Sequence, residues 1–255
     1  MDRRTALVTG ASAGMGAEFA RQLAGRGLDL LLVARRSERL RELADRLVRD
    51  TGVRADVFVA DLSASESPAR IFDYVRDRGL HVDFLVNNAG SAGIDFLEDR
   101  RWTKQADYLE LMMISVAQMC HLFVPSMCEK GYGRVINVAS VAGRIARASD
   151  LNYGPSKAYV VAFSESLDLS VRASGVRVCA LCPGFTHTDF HEVAGMMERK
   201  ERMPKFIWYD ASVVVKDGLK AVDRGKSVYI SGRLYRWLDP LLQSVWTRRL
   251  IKRFM

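Results

Sequence analysis

Apolar positions along the 255-residue chain follow two alternating rhythms. Short runs rich in Val, Leu and Ile fall at 5–9, 28–34, 53–60, 82–86, 134–138 and 176–181, with 227–230 as a seventh. Between them apolar residues recur three and four apart, as in Phe19 and Leu23 or Leu40, Leu43 and Leu47, which predicts helices near 15–25, 37–49, 66–78, 103–129 and 152–173. Strand and helix in turn are the mark of βαβ units. The expected fold is therefore α/β, a Rossmann-type doubly wound parallel sheet of about seven strands with helices on both faces. Strands that are apolar nearly throughout agree, because a parallel sheet is covered on both sides. No internal repeat, low-complexity tract or Pro/Gly/Ser-rich linker interrupts the pattern, and residues 1–255 read as one domain.

Composition narrows the class. At 49% hydrophobic and 27% charged residues, the chain lies far from the signature of disorder. Met1-Asp2-Arg3-Arg4, with Gly10 soon after, does not read as a secretory signal, and no uninterrupted apolar run approaches the ~18 residues of a spanning helix. The net charge of +8 invites a nucleic-acid reading until it is located: residues 224–255 carry eight Lys/Arg against Asp239 alone. Basicity is thus a property of the C-terminal end, and no nucleic-acid partner is expected. Cys120, Cys128, Cys179 and Cys182 are too few for a disulfide scaffold and are expected as reduced core thiols, which favours a cytoplasmic location. Cys179-x-x-Cys182 falls on a strand and its exit, unlike a zinc knuckle, and His187 with His191 lacks an evident third ligand, so no metal is expected.

A doubly wound sheet binds its ligand beyond the carboxyl ends of its strands. Chemistry-bearing residues cluster there. After the first strand comes Thr9-Gly10-Ala11-Ser12-Ala13-Gly14-Met15-Gly16, entering a helix whose N–H groups and partial positive charge suit a pyrophosphate. After the second, Arg35-Arg36 stands where an NAD enzyme would offer a carboxylate to the ribose, and guanidinium groups favour a 2′-phosphate. This pair points to NADP(H) over NAD(H), against the alternative of a solvated helix start with Arg39 and Arg41. Asp61-Leu62 and Asn87-Asn88-Ala89-Gly90 follow the third and fourth strands, Ser140 the fifth, and Pro183-Gly184-Phe185-Thr186-His187-Thr188 the sixth. Tyr153 and Lys157, four apart, share one helix face.

In the Gly-x-x-x-Gly-x-Gly spacing and these following motifs, residues 5–190 resemble the short-chain dehydrogenase/reductase family. The resemblance implies a cofactor cradled by Gly10, Ser12, Gly14, Met15 and Gly16, with Asp61 and Leu62 beside its adenine. It further implies that Asn87, Ala89 and Gly90 line the cofactor, and that Pro183, Gly184, Thr186 and Thr188 lie beside the nicotinamide. Ser140, Tyr153 and Lys157 are then the catalytic residues, Tyr153 and Lys157 also touching the cofactor. A free tyrosine titrates near 10, so the base form needs neighbouring positive charge, from Lys157 and the oxidised nicotinamide. Ser140 would bind the substrate oxygen. Many members place an Asn in the helix after the fourth strand to hold a water; this chain has Ser115 there, and Ser115→Asn is expected to preserve or raise turnover. A homodimer or homotetramer built on the 103–129 and 152–173 helices follows from the same resemblance.

Two segments remain open to two readings. A substrate lid is expected over 187–209, where Phe190, Met196, Met197, Met203, Phe206 and Trp208 either bind an apolar carbonyl or alcohol substrate or pack the lid down. Asp239-Pro240 reads as the N-cap and first residue of a basic amphipathic helix over 239–254, which either docks on protein or lies at the surface of an anionic membrane. The functional reading is an oxidoreductase that interconverts a carbonyl and a secondary alcohol, the rival being a nucleotide-binding regulatory or scaffold protein with little turnover.

Overall fold

The computed structural model describes residues 3–148, 150–187, 207–244 and 246–247. β1 (Thr5–Thr9), β2 (Asp29–Ala34), β3 (Ala55–Val59), β4 (Phe84–Asn87), β5 (Gly133–Val138) and β6 (Val176–Cys182) precede a short parallel pair, β7 (Thr186–His187) and β8 (Tyr209–Asp210), and then β9 (Val228–Ile230). The seven long-sheet strands lie in the order β3-β2-β1-β4-β5-β6-β9, all parallel. Strand order reverses between β1 and β4, and all seven expected strands are present within two residues of their predicted ends.

The helices are α1 (Gly14–Ala24), α2 (Ser37–Thr51), α3 (Ser67–Asp77), α4 (Trp102–Leu109), α5 (Ser115–Glu129), α6 (Tyr153–Val171), α7 (Ala211–Asp223) and α8 (Arg233–Gln243). Alternate residues of each strand face opposite layers. Ala6, Val8, Leu30 and Leu32 meet Phe19, Leu23, Leu40 and Leu43 of α1 and α2, with Val214, Val215 and Leu219 of α7 completing that layer. Leu7, Leu31, Val33 and Leu85 turn the other way, to Ile71 of α3 and Met119, Phe123 and Val124 of α5. Truncating any of the fully buried leucines to Ala would cost about 2–5 kcal/mol through lost burial and the cavity left behind.

Three findings qualify the expected elements. The expected 103–129 helix is present over Trp102–Glu129, but within it α4 passes through a π-helical turn at Glu110–Ile114 into α5, which also contains Pro125. One 18-residue window of Trp102–Glu129 reaches a mean hydropathy of 1.5, apolar enough by length and composition to cross a membrane, yet its Met119, Phe123 and Met127 are spent against the sheet. Second, the helix expected to start at Asp239 starts at Arg233, after Gly232 at φ 97°, and Pro240 lies inside it. Asp239 does not cap, because Arg144 holds its carboxylate. Third, the sequence reading assigned no element to α7. Its buried Val214, Val215, Leu219 and Val222 keep helical spacing, but the run Val213-Val214-Val215 masks it.

Candidate active site

Loops leaving β1, β2, β3, β4, β5 and β6 converge at the carboxyl edge, on either side of the switch point. Gly10 (φ 64°) and Gly14 (φ 53°) take left-handed conformations that only glycine adopts freely. A Cβ on Gly16 would lie 2.2 Å from the Gly10 carbonyl oxygen, so only glycine lets α1 fold so tightly onto its own loop. α1 begins at Gly14 with no side-chain cap and no acidic residue in its first turn, while Ala11, within the loop, is buried. Uncapped N–H groups and a positive helix end are what a phosphate requires.

Arg36 is drawn into this loop. Its Nε and Nη2 donate to Ser12 Oγ at 3.1 and 3.0 Å, bringing a guanidinium from the end of β2 against the glycine turn. Arg35 is mostly exposed and pairs at 3.4 Å with Asp61. Burial raises the Asp61 carboxyl, but hydrogen bonds from the Ser63 N–H and hydroxyl and the Arg35 charge outweigh it and hold the pKa below its usual value. Leu62 is buried beneath that turn.

The Asn-Asn-Ala-Gly segment divides its labour. Asn88, a member of the motif to which the sequence assigned no role, donates its side-chain amide to the Thr9 carbonyl at 3.0 Å, and its backbone N–H and that of Ala89 donate to Thr9 Oγ1 at 2.9 and 3.0 Å. Asn87 turns inward. Its Nδ2 donates to Asn137 Oδ1 at 2.8 Å, Asn137 Nδ2 to Ser164 Oγ at 2.9 Å, and Ser164 to the Val160 carbonyl at 2.6 Å, a buried polar file linking β4, β5 and α6. Gly90 lies against Met112, whose sulfur accepts the Ser91 N–H at 3.4 Å.

At the exit of β5, Ser140 is buried and in extended conformation, its Oγ accepting the Ala142 N–H at 3.1 Å. Tyr153, the first residue of α6, lies close enough to this serine for Ser140 to stabilise its phenolate. One turn on, the buried Lys157 donates from Nζ to the Val138 carbonyl at 2.8 Å and lies 5.9 Å from the Tyr153 ring centre. Burial pushes the Tyr153 phenol above its usual value despite the opposing effect of Ser140, and lowers the Lys157 ammonium to about 8. Together they can give up a proton and stabilise the negative oxygen left behind. Ser115, the first residue of α5, is buried and donates from Oγ to the Leu111 carbonyl at 2.8 Å, so its hydroxyl serves the helix turn.

Tyr153 faces a cleft of about 210 Å³ lined by Gly93, Ile94, Asp95, Asp150, Leu151 and Asn152. Gln105 braces its wall, accepting from Asn152 Nδ2 at 2.6 Å and donating to the Asp95 carbonyl at 3.0 Å. The phenol of buried Tyr108, near Tyr153, is also raised by burial. No motif marks Gln105 or Tyr108. After β6, the Pro183 carbonyl accepts the Val141 N–H at 3.0 Å, and Thr186 donates to the Gly184 carbonyl at 3.1 Å. A Cβ on Gly184 would lie 2.1 Å from the Tyr235 ring of α8, a contact sequence reasoning missed.

Thr188 and most of the 187–209 lid lie outside the described residues, as do 248–255 of the C-terminal segment. Of the lid, Trp208 is buried, its ring 5.1 Å from Phe185 and 5.3 Å from His187. α8 docks on its own domain but leaves Trp237 75% exposed, with Leu241 and Trp246 also open to solvent. Cys120, Cys179 and Cys182 are buried thiols, and burial raises those of Cys120 and Cys182 to about 12.

Residues 4–199 match the family model described as short chain dehydrogenase. The chain is 33% identical over 193 residues to the 3-oxoacyl-[acyl-carrier-protein] reductase FabG of Haemophilus influenzae, covering 76% of this chain and 78% of that one. It is 32% identical over 195 residues to the very-long-chain 3-oxoacyl-CoA reductase of Anas platyrhynchos, covering 74% of this chain and 62% of that one. Among solved structures, a short-chain dehydrogenase from Sphingobium yanoikuyae in complex with NADPH superposes with a TM-score of 0.83 at 30% identity, over 96% of this chain and 95% of that one. Glycine loop, Asn-Asn-Ala-Gly segment and Ser-Tyr-Lys cluster thus stand on the sheet of known relatives, and this chain belongs to the short-chain dehydrogenase family, as an oxidoreductase that interconverts carbonyl and alcohol groups with a nicotinamide cofactor.

Proposed function

We propose that the chain acts as an NADP(H)-dependent reductase or dehydrogenase, with Tyr153 as acid/base, Lys157 as its electrostatic partner and ribose ligand, and Ser140 as the group that orients the substrate oxygen. The observation that carries this reading is the buried Lys157, anchored to the carbonyl of the last residue of β5 and 5.9 Å from the ring of Tyr153, which lies beside Ser140. The residues present fit a dinucleotide: two glycines at positive φ, an uncapped helix start, and the Arg36 fork on Ser12.

A bound nicotinamide supplies the hydride. In the reducing direction Ser140 holds the substrate carbonyl oxygen and Tyr153 gives it a proton from the phenol. The protonated Lys157 then stabilises the phenolate. Fixed by the Val138 carbonyl, the ammonium loses little conformational freedom in doing so. Gly10, Ser12, Gly14, Met15 and Gly16 would take the pyrophosphate, Arg36 with Arg35 the 2′-phosphate, and Asp61 and Leu62 the adenine. The backbone of Asn87, with Ala89 and Gly90, would back the cofactor's middle, with Pro183, Gly184, Thr186 and Thr188 beside the nicotinamide.

For substrate we favour an apolar ketone or 3-oxoacyl compound, in line with the names of the two reductases above and the Phe185, His187 and Trp208 rings beside the site. Exposed Tyr159 and Leu169 on α6 support a homodimer or homotetramer, and the four free thiols a cytoplasmic location. Exposed Trp237, Leu241 and Trp246 within the basic C-terminal region support peripheral contact with an anionic membrane. Vesicle co-sedimentation of the full chain against one ending at Ser231 tests that contact, and equal binding removes it.

NADPH oxidation followed at 340 nm against aldehydes, ketones, 3-oxoacyl thioesters and steroid ketones tests the main reading. Turnover that Tyr153→Phe abolishes, while NADPH still binds, is expected. Tight NADPH binding without turnover on any member would favour the regulatory alternative.

A further inference from the structure

Ser140 opens a tight turn, Val141–Arg144, that is gripped from three sides. Below, Gly143 rests on the backbone of α6 so closely that a Cβ would lie 2.6 Å from the Lys157 carbonyl carbon. Beside it, the Val141 N–H is held by the Pro183 carbonyl at 3.0 Å. From outside comes α8. Arg144 Nε and Nη2 donate to the two oxygens of Asp239 at 2.8 and 2.7 Å, and Gln243 Nε2 donates to the Arg144 carbonyl at 2.6 Å. The two charged side chains are only 18% and 14% exposed. A two-point guanidinium–carboxylate pair fixes orientation as well as distance. At this depth, loss of one partner leaves the other charge poorly compensated.

Asp239 lies 95 residues from Arg144 in sequence, so the pair ties the far end of the chain to the turn that presents the serine. α8 also presses the Tyr235 ring onto Gly184, so one helix backs both loops at the reacting end. A pair that only secured α8 would have no reason to meet it through the Ser140 turn, with a second bond from Gln243 to the same residue's carbonyl.

We propose that the Arg144–Asp239 pair positions Ser140: α8 clamps the serine turn against α6, and carbonyl reduction depends on that clamp while cofactor binding does not. This rests on the catalytic reading of Ser140 given above.

The test compares the full-length parent with Asp239→Asn, Asp239→Glu and Arg144→Lys. Ethyl acetoacetate serves as the probe ketone, turnover is counted per NADPH bound, and amide hydrogen exchange is read on the same samples. Asp239→Asn is expected to lower kcat about tenfold with the NADPH Kd within about twofold. Exchange should quicken in residues 139–145 and stay unchanged in α1. Asp239→Glu should recover most of the rate, and Arg144→Lys, which keeps the charge but not the fork, should fall between. Should Asp239→Asn not fold, Arg144→Lys gives the same comparison. An unchanged kcat, or a loss confined to thermal stability, overturns the proposal. A parent that does not turn over this or any ketone of the panel fails the catalytic reading instead. Exchange then decides the clamp alone, and unchanged protection at 139–145 refutes it.

Discussion

Thr9 and Asn88 hold each other reciprocally: the Thr9 hydroxyl accepts the Asn88 backbone N–H at 2.9 Å while the Asn88 side-chain amide donates to the Thr9 carbonyl at 3.0 Å. The same hydroxyl accepts the Ala89 N–H and donates to the Val86 carbonyl, joining the loops on either side of the switch point. Thr9→Val keeps the shape and removes every one of these bonds made by the hydroxyl. Leaving two partly buried backbone donors unpaired costs about 1–3 kcal/mol. Urea denaturation should show that loss, together with weaker NADPH binding. A variant as stable as the parent would mean that the loops are held by packing alone.

Arg36 meets Ser12 at the glycine turn, in the proposed 2′-phosphate subsite, whereas Arg35 is spent on an exposed pair with Asp61. The two arginines should therefore count unequally. Arg36→Ala is expected to weaken NADPH binding by at least about tenfold, as for a lost charge-assisted bond, with NADH within about twofold. Arg35→Ala should do less. Fluorescence titration with both cofactors decides it, and equal losses for NADPH and NADH would remove Arg36 from the discrimination.

Burial brings the Lys157 ammonium to about 8, from 10.5 in the open chain. Between these values the unfolded chain holds a proton on this lysine that the folded one has released, so the lysine's contribution to stability rises with pH. The slope reaches at most about 1.4 kcal/mol per pH unit. Below about 8 both states are protonated and the cost of burying the cation is constant. Above about 10 the raised Tyr153 phenol acts in the opposite sense, since the unfolded tyrosine ionises first. The buried Cys120, Cys179 and Cys182 thiols, also raised by burial, oppose the lysine from about 9, so its contribution is read in urea unfolding as the difference between the parent and Lys157→Met, which should grow in the parent's favour between pH 8 and 10. Parallel curves for the two proteins would place the lysine's titration outside that window.

Ser115 gives its hydroxyl to the Leu111 carbonyl inside the turn that joins α4 to α5. Since that hydroxyl is occupied by the helix, Ser115→Asn should preserve or raise the rate of hydride transfer. Stopped-flow with excess ketone measures the step directly, and a large loss would show that this helix needs the small residue.

Much of this was legible from the chain because parallel strands and their exits carry strong local signals. The run Thr5–Thr9 followed by three glycines, and Tyr153 four residues before Lys157, each predict their own surroundings. The rest is non-local. Arg144 and Asp239 are 95 residues apart, and no local signal pairs them. Asp239 before Pro240 imitates a helix start so well that local chemistry pointed to the wrong boundary; the carboxylate answers a distant guanidinium instead. Asn87 shows the opposite limit: its motif placed it beside the cofactor, but the pleat turns its side chain into the core.

Asn87 and Asn137 are not only hydrogen-bonded but stand directly opposite one another in the pairing of β4 with β5. Sliding one strand by a single residue would point one amide to the other face and strand both in an apolar interior. Val and Leu neighbours tolerate many such slips, since one aliphatic contact resembles the next. The amide pair makes the two central strands count from a common zero, and so fixes the relative height at which the Asn-Asn-Ala-Gly segment and Ser140 leave the sheet.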